Sequence, residues 1–214
     1  MSRFTGLLEL AAAAAAGAVL AGDATAVANT GDVVGSDGKH RYSDGSRFVS
    51  DTERQVEDAK RYLTRRLDRG VEKPAVVFDV DDTAEVTYGW EADDDFGFDP
   101  VKQQEAIDKG TFVANKPVLE LANWAAQRGV KIYFLTGRDE FQGPQSLKNL
   151  ANEGYPAPAG AFFKPTTTAP DYLPCGLTCT TVQYKAGTRK HIASTGATIL
   201  ADFGDQFSDL EGLP

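Results

Sequence analysis

Apolar positions along the chain keep two rhythms that take turns. The first is the short, nearly continuous run: residues 75–78 (AVVF), 130–135 (VKIYFL), 161–163 (AFF) and 197–201 (ATILA). Runs of this length without a polar face suit strands covered on both sides, as in a parallel sheet. The second rhythm repeats every three to four residues. Val56, Ala59, Leu63 and Leu67 form one stripe of a helix that starts with Asp51 as N-cap and stops at Gly70. Val118, Leu121, Ala122 and Ala125 form another, opened by Pro117 and closed by Gly129. Residues 141–152 read as helix with a break at Gly143-Pro144, and residues 186–195 as a short helix that buries Ile192. Residues 182–184 read as a strand end followed by Lys185. Strands alternating with helices predict an α/β fold with a doubly wound parallel sheet.

Three stretches stand outside these rhythms. Residues 1–28 place Arg3 ahead of an alanine-built apolar stretch, 7–21, and both Ala24-Thr25-Ala26 and Ala26-Val27-Ala28 offer the small-x-small pattern of a signal-peptidase site. The apolar stretch is shorter than the ~20 residues that span a bilayer, and Glu9 interrupts it. A cleaved signal peptide is expected, giving a secreted or extracytoplasmic protein; the alternative is an alanine-rich helix that stays attached. The leader contains no cysteine to carry a lipid, so no stable membrane anchor is expected. Residues 29–50, rich in Gly, Ser and Asp, read as a flexible N-terminal arm. The main domain then covers 51–214. Within it, residues 84–116 lack clear periodicity and read as a small cap insertion after the first strand, with Tyr88, Trp90, Phe96 and Phe98 around the acidic run 93–95.

Composition narrows the partners. A hydrophobic content of 42% and a charged content of 25% are ordinary for a soluble domain, and 214 residues allow one domain with a small insertion. The formal charge of −9 argues against a nucleic-acid polymer as ligand. Without residues 1–28, 21 basic residues face 29 acidic ones, so the charge stays at −8. A small phosphorylated substrate is not excluded, because a metal and one or two cations reverse the field locally. Oligomeric state is not legible. Cys175 and Cys179, the only cysteines, read as a structural disulfide permitted by export, with free thiols as the alternative.

The candidate chemistry lies where the apolar runs end. Residues 75–78 pass straight into Asp79, Asp81 and Asp82, at the strand end where open α/β sheets hold their ligands. Side chains two apart on an extended chain share a face, so Asp79 and Asp81 can share one site while Asp82 points away. Like charges this close call for a cation, and a hard one such as Mg²⁺ takes oxygen ligands. The plain alternative is a solvated acidic turn. The second run ends in Thr136-Gly137-Arg138 and the last leads through Asp202-Phe203-Gly204-Asp205 to Asp209, with Lys185 between them.

FDVDDT, LTGR, YKAGTRKHI and GDQFSDL, in this order over residues 51–212, resemble the haloacid dehalogenase superfamily. The similarity is to its acid phosphatase branch, subfamily IIIB, which includes plant vegetative storage proteins and bacterial secreted acid phosphatases. The resemblance implies a secreted, Mg²⁺-dependent acid phosphatase acting on small phosphomonoesters through an aspartyl-phosphate. Asp79 would be the nucleophile and Asp81 the acid that protonates the leaving alcohol and then activates water. The metal would be held by Asp79, Asp205 and Asp209, with Asp81 contributing its backbone carbonyl. Thr136 and Gly137 would bind the phosphate, and Lys185 would supply positive charge to the transition state. An acid at position 81 resembles phosphatases and phosphomutases rather than dehalogenases, and an insertion of roughly 30 residues is small for a mutase. Phe207, the residue before Gly204, and the short stretch 88–98 depart from the pattern and bear on substrate preference.

Other polar residues have plainer readings. Lys190 is expected on a solvated helix face, Lys164 is a competing phosphate lysine, and His191 is expected to be a partly exposed helix residue. Arg138 can reach a phosphate or pair with a neighbouring carboxylate. Residues 93–95 are expected in a solvated loop, and the aromatics of 84–116 in a small core of their own. The rival functions are a phosphotransferase using the same residues and a non-catalytic storage or binding protein on the same fold.

Overall fold

In a computed structural model, residues 32–34, 36, 39–42, 46–93 and 97–212 are described. The expected leader, 1–28, and Asp94 to Phe96 of the acidic run lie outside the described residues.

Two strands, β1 (Asp32–Val34) and β2 (His40–Tyr42), pair antiparallel ahead of the long helix α1 (Arg47–Leu67). The chain continues through β3 (Pro74–Phe78), β4 (Glu85–Val86), α2 (Tyr88–Asp93), α3 (Pro100–Lys109), β5 (Val113–Ala114) and α4 (Lys116–Ala126). It ends with β6 (Lys131–Asp139), α5 (Gly143–Asn152), β7 (Gly160–Lys164), α6 (Thr181–Ser194) and β8 (Thr198–Phe203). Strands β7, β6, β3 and β8, in that order, form one parallel sheet, and β4 pairs with β5 in a separate antiparallel one.

The doubly wound arrangement follows from the period-two alternation of the central strands. Val76 and Phe78 of β3 and Ile132 and Phe134 of β6 pack with Val56 and Leu63 of α1 and Val118 and Leu121 of α4. Ala75, Val77, Tyr133 and Leu135 face the other way, against Tyr184 and Ile192 of α6 and Leu173 of the loop before it. Both faces are therefore apolar, which is why the sequence reads as runs there. Asp79 follows β3 directly at the sheet's C-terminal edge, where the chain leaves this double cover.

Several local expectations are corrected. Helix α1 starts at Arg47, capped by Ser46, whose Oγ accepts from the Val49 N–H at 3.2 Å; Asp51 lies inside the helix and pairs with Arg47 and Arg54. The expected flexible arm, as far as it is described, carries the β1–β2 pair, and Tyr42 stacks on Phe48 at 3.9 Å. Residues 182–184 are helical, not a strand end. Thr180 and Gln183 form a capping box that opens α6 at Thr181, so Lys185 projects from a helix. Strand β6 runs past Leu135 to Asp139, where pairing with β7 resumes after a register shift. The expected break at Gly143-Pro144 is a 3-10 turn, Glu140–Gln142, running directly into α5. Cys175 and Cys179 are joined as a disulfide.

Candidate active site

Asp79 is the first residue beyond β3, and its N–H donates to the Phe203 carbonyl at 2.8 Å, which ties it to the end of β8. Its carboxylate is buried. Lys185, one turn into α6 and also buried, donates from Nζ to Asp79 Oδ1 at 2.7 Å and to Asp209 Oδ1. Asp209 closes a 3-10 turn, Phe207–Asp209, and its Oδ2 accepts from the Gln206 N–H at 3.0 Å. This close return needs Gly204: a Cβ there would stand 2.3 Å from Asp209 side-chain atoms. Arg189, one helical turn beyond Lys185, donates to the Asp209 carbonyl at 2.6 Å and to the Glu211 carbonyl. One helix therefore grips the last turn at both side chain and backbone.

One carboxylate oxygen each from Asp79, Asp205 and Asp209 lie within 4.8 Å of one another. Burial pushes the Asp79 carboxyl well above its ordinary range; Lys185 opposes this, and Asp209, Asp81 and Asp205 add to it. Asp205 is pushed up to about 7 by burial and by Asp209. Burial works against the Lys185 ammonium, but Asp79 and Asp209 outweigh it and hold its pKa above the usual lysine range. Three carboxylates thus share one ammonium, and the set remains short of positive charge. Oxygen-only donors converging at this spacing fit a hard divalent cation of the Mg²⁺ type.

Asp81 is held differently. Its two carboxylate oxygens accept from Arg138 Nε at 3.0 and 3.1 Å, and Oδ1 accepts from Nη2 at 2.7 Å. Thr136 Oγ donates to Asp81 Oδ2 at 3.4 Å and accepts from the Arg138 N–H at 3.1 Å. The Asp81 side chain is not one of the three converging carboxylates. Asp82, at φ 49°, turns its carboxylate to the Thr87 N–H at 3.0 Å. Burial, with Glu91 beside it, pushes Asp82 up to about 8.

The remaining candidates disperse. Gly137 is exposed beside the buried Thr136, Lys190 is exposed, and Lys164 is half-buried. His191 stacks on Tyr172 with ring centroids 4.1 Å apart. Trp90 packs on the small cluster of Ala106, Ile107 and Phe112, whereas Phe98 is largely exposed. A cavity of about 250 Å³ between β2, α1, β4, β5 and α4 is lined by none of the residues around Asp79. Sequence reasoning did not find Glu85, Ser146, Asn149 or Arg189. For Glu85 a signal was present: a lone acid between Ala84 and Val86, in an apolar setting where an unpaired charge does not stay.

Comparison with known proteins falls in line with this geometry. Acid phosphatase 1 of Solanum lycopersicum is 32% identical over 139 residues, 64% of this chain and 51% of that protein. The chain thus spans about half the length of the curated relative it matches. A class C acid phosphatase from Bacillus anthracis, solved both with tungstate bound and separately, superposes with a TM-score of 0.61 at 23% identity, covering 75% of this chain and 64% of that one. It supports the fold. No helix of the described residues is long and apolar enough to cross a membrane. The model of the family described as HAD superfamily, subfamily IIIB (acid phosphatase), matches residues 16–213, and the chain belongs to that family.

Proposed function

We propose that this chain hydrolyses small phosphomonoesters through an aspartyl-phosphate formed on Asp79. The observation that carries the reading is the buried Asp79–Lys185 contact at 2.7 Å, set among Asp205 and Asp209 where β3 and β8 end beside helix α6. Phosphoryl transfer needs an in-line nucleophile, charge on the phosphate oxygens neutralised, and a proton for the leaving group.

Lys185 occupies Asp79 Oδ1, which leaves Oδ2 to attack phosphorus as the bond to the leaving oxygen breaks. Asp81 gives its proton to that oxygen, then takes one from the water that attacks the phosphorus and releases phosphate from Asp79. Lys185 opposes the rise that burial imposes on the Asp79 carboxyl and adds positive charge beside the transferred group. The Gly137 backbone, and the Thr136 hydroxyl once released from its 3.4 Å contact with Asp81, would offer donors to the phosphate oxygens from the later part of β6. Asp79, Asp205 and Asp209, with the Asp81 backbone carbonyl, would hold Mg²⁺. When bound, the ion would relieve the carboxylate repulsion and neutralise phosphate charge.

A panel of phosphomonoesters assayed with and without Mg²⁺ tests the reading, with trapping of phosphoenzyme as its direct readout. Divalent-dependent turnover with a label on Asp79 is expected. Full activity after exhaustive chelation, with no metal in the protein, would remove the metal assignment; turnover with no phosphoenzyme would remove the covalent one. The proposal includes export, with cleavage near Ala26 or Ala28. Mass spectrometry of protein recovered outside the producing cell is expected to find neither Met1 nor the apolar stretch.

A further inference from the structure

Arg138 has a task that neither phosphate binding nor simple packing describes. Its side chain is 1% exposed and all its nitrogens are engaged. Besides the contacts of Nε and Nη2 with Asp81, Nη2 donates to Glu85 Oε2 at 2.8 Å and Nη1 to Ser146 Oγ at 2.8 Å. The guanidinium carbon lies 5.2 Å from the centre of the Phe112 ring. A fork whose three nitrogens each hold a protein oxygen and whose side chain is 1% exposed does not face a substrate phosphate. Asp81, by contrast, keeps 31% of its side chain exposed, so the gripped carboxylate is the part of the pair that reaches the open site.

The grip is itself braced. Glu85 is wholly buried, and its other oxygen accepts from Asn149 Nδ2 at 2.7 Å. The same amide group donates to the Phe112 carbonyl at 2.8 Å. Asp81 and Glu85 form a backbone bridge, so the fork holds both ends of one tight loop. The brace therefore reaches from α5 through Glu85 to both ends of the segment between β3 and α4. A planar fork contacting both oxygens fixes the plane of a carboxylate, which a point charge such as an ammonium cannot do.

We propose that Arg138, braced by Glu85 and Ser146, is a positioning residue that aims the Asp81 carboxyl group at the leaving-group oxygen. This rests on the reading of Asp81 as the acid and base of the reaction. It says that Arg138 acts on leaving-group protonation through geometry, and on phosphate affinity not at all.

The test is the leaving-group dependence of kcat and KM in Arg138→Lys and in the charge-neutral pair Arg138→Met with Glu85→Gln. The pair keeps the test open should a single uncharged replacement leave Glu85 buried alone and fail to fold. Substrates are an alkyl phosphate and an activated aryl phosphate, with inorganic phosphate as competitive inhibitor. A misaimed group costs about 10²-fold, so kcat on the alkyl phosphate is expected to fall by about that factor. Aryl kcat/KM, which reports phosphoenzyme formation alone, and inhibition by phosphate should stay within roughly threefold, while hydrolysis of the shared aspartyl-phosphate slows with the misaimed base. In an Asp81→Asn background the Arg138 substitutions should add nothing. Equal losses of kcat/KM on both substrates, a parallel weakening of phosphate inhibition, or an undiminished loss in the Asp81→Asn background would each overturn the proposal. Asp81→Asn alone, losing the same factor on both substrates, would instead remove the acid role of Asp81, and the proposal with it.

Discussion

Two buried cations each bridge a pair of carboxylates at the C-terminal edge of the sheet, and they do so with opposite results. Lys185 bridges Asp79 and Asp209, and Asp205 stands beside them unmatched. Arg138 bridges Asp81 and Glu85, and Ser146 and Asn149 fill the remaining bonds. The ammonium is a point charge on a flexible stem; it neutralises part of its cluster and leaves oxygens for another cation. The guanidinium is a rigid fork that closes its cluster. The same two ingredients, burial and a paired charge, thus build a centre short of positive charge and, beside it, a closed scaffold. The difference teaches that pairing alone does not mark a reactive site. What differs is how much charge pairing leaves over: one ammonium faces three carboxylates around Asp79, and one guanidinium faces two around Asp81.

The contrast breaks most sharply at Asp79. Asp79→Asn should abolish both turnover and phosphoenzyme, because a neutral amide oxygen is a poor nucleophile and a weaker metal ligand; retained turnover would dissolve the distinction between the clusters. Asp81→Asn should leave metal binding largely intact. It should slow poor leaving groups by ~10²–10⁴-fold and activated aryl phosphates far less, and an aspartyl-phosphate should accumulate with the latter. Quench-flow with both substrate types reads this, and an equal loss on the two would count against it.

The scaffold side predicts an effect on stability. Glu85→Ala leaves Arg138 and Asn149 buried without their shared acceptor. Removing one member of a buried pair typically costs about 3–5 kcal/mol, which denaturant unfolding would register. Asp205→Asn, in the cluster with surplus negative charge, should cost little or raise the stability of the metal-free protein while weakening Mg²⁺ binding in calorimetry. If the two substitutions destabilise equally, the clusters do not differ as described.

How much of this was legible follows from the range of the signals. The runs at 75–78 and 130–135 announced central strands because both faces are covered, and the acids and Thr-Gly-Arg that follow announced the edge where chemistry collects. Asp79, Lys185, Asp205 and Asp209 were legible as motif members, and the structure brings all four together. Val182 and Tyr184 flank Gln183 in the alternation of a strand, but the Thr180–Gln183 capping box starts a helix there and carries Lys185 on it. Helix α1 begins four residues before the Asp51 that sequence suggests as its cap, and Phe48 in that added turn stacks on Tyr42. Of the brace behind Asp81, only Glu85 left a local signal, as a lone acid in an apolar setting, and its partners left none. Glu85 and Asn149 are 64 residues apart and Arg138 and Glu85 are 53 apart, and no local periodicity encodes partners at that separation.

The smallest expected effect tests the surplus charge by pH. Burial and Asp209 raise Asp205 to about 7, burial raises Asp202 to about 7, and burial with Glu91 raises Asp82 to about 8, all from an ordinary 3.8. A carboxyl group whose pKa is higher in the folded chain than in the unfolded one binds its proton more tightly when folded. Its contribution is complete below the unfolded pKa and is lost as pH rises through the folded one. For these groups the window runs from about pH 4 to about pH 8. The metal-free protein should therefore melt at progressively lower temperature from pH 5 to pH 8, by on the order of a few °C in this size range. Saturating Mg²⁺ should recover the part that belongs to Asp205, since a cation among Asp79, Asp205 and Asp209 replaces the proton that the cluster otherwise needs. Asp82 and Asp202 lie outside those ligands, so their part of the slope should persist with the metal present. Asp205→Asn should flatten the metal-free slope and diminish the difference that Mg²⁺ makes. A melting temperature that rises from pH 5 to pH 8 without metal, or a slope indifferent to Asp205→Asn, would show that Lys185 already balances its cluster. The two buried cations would then be alike.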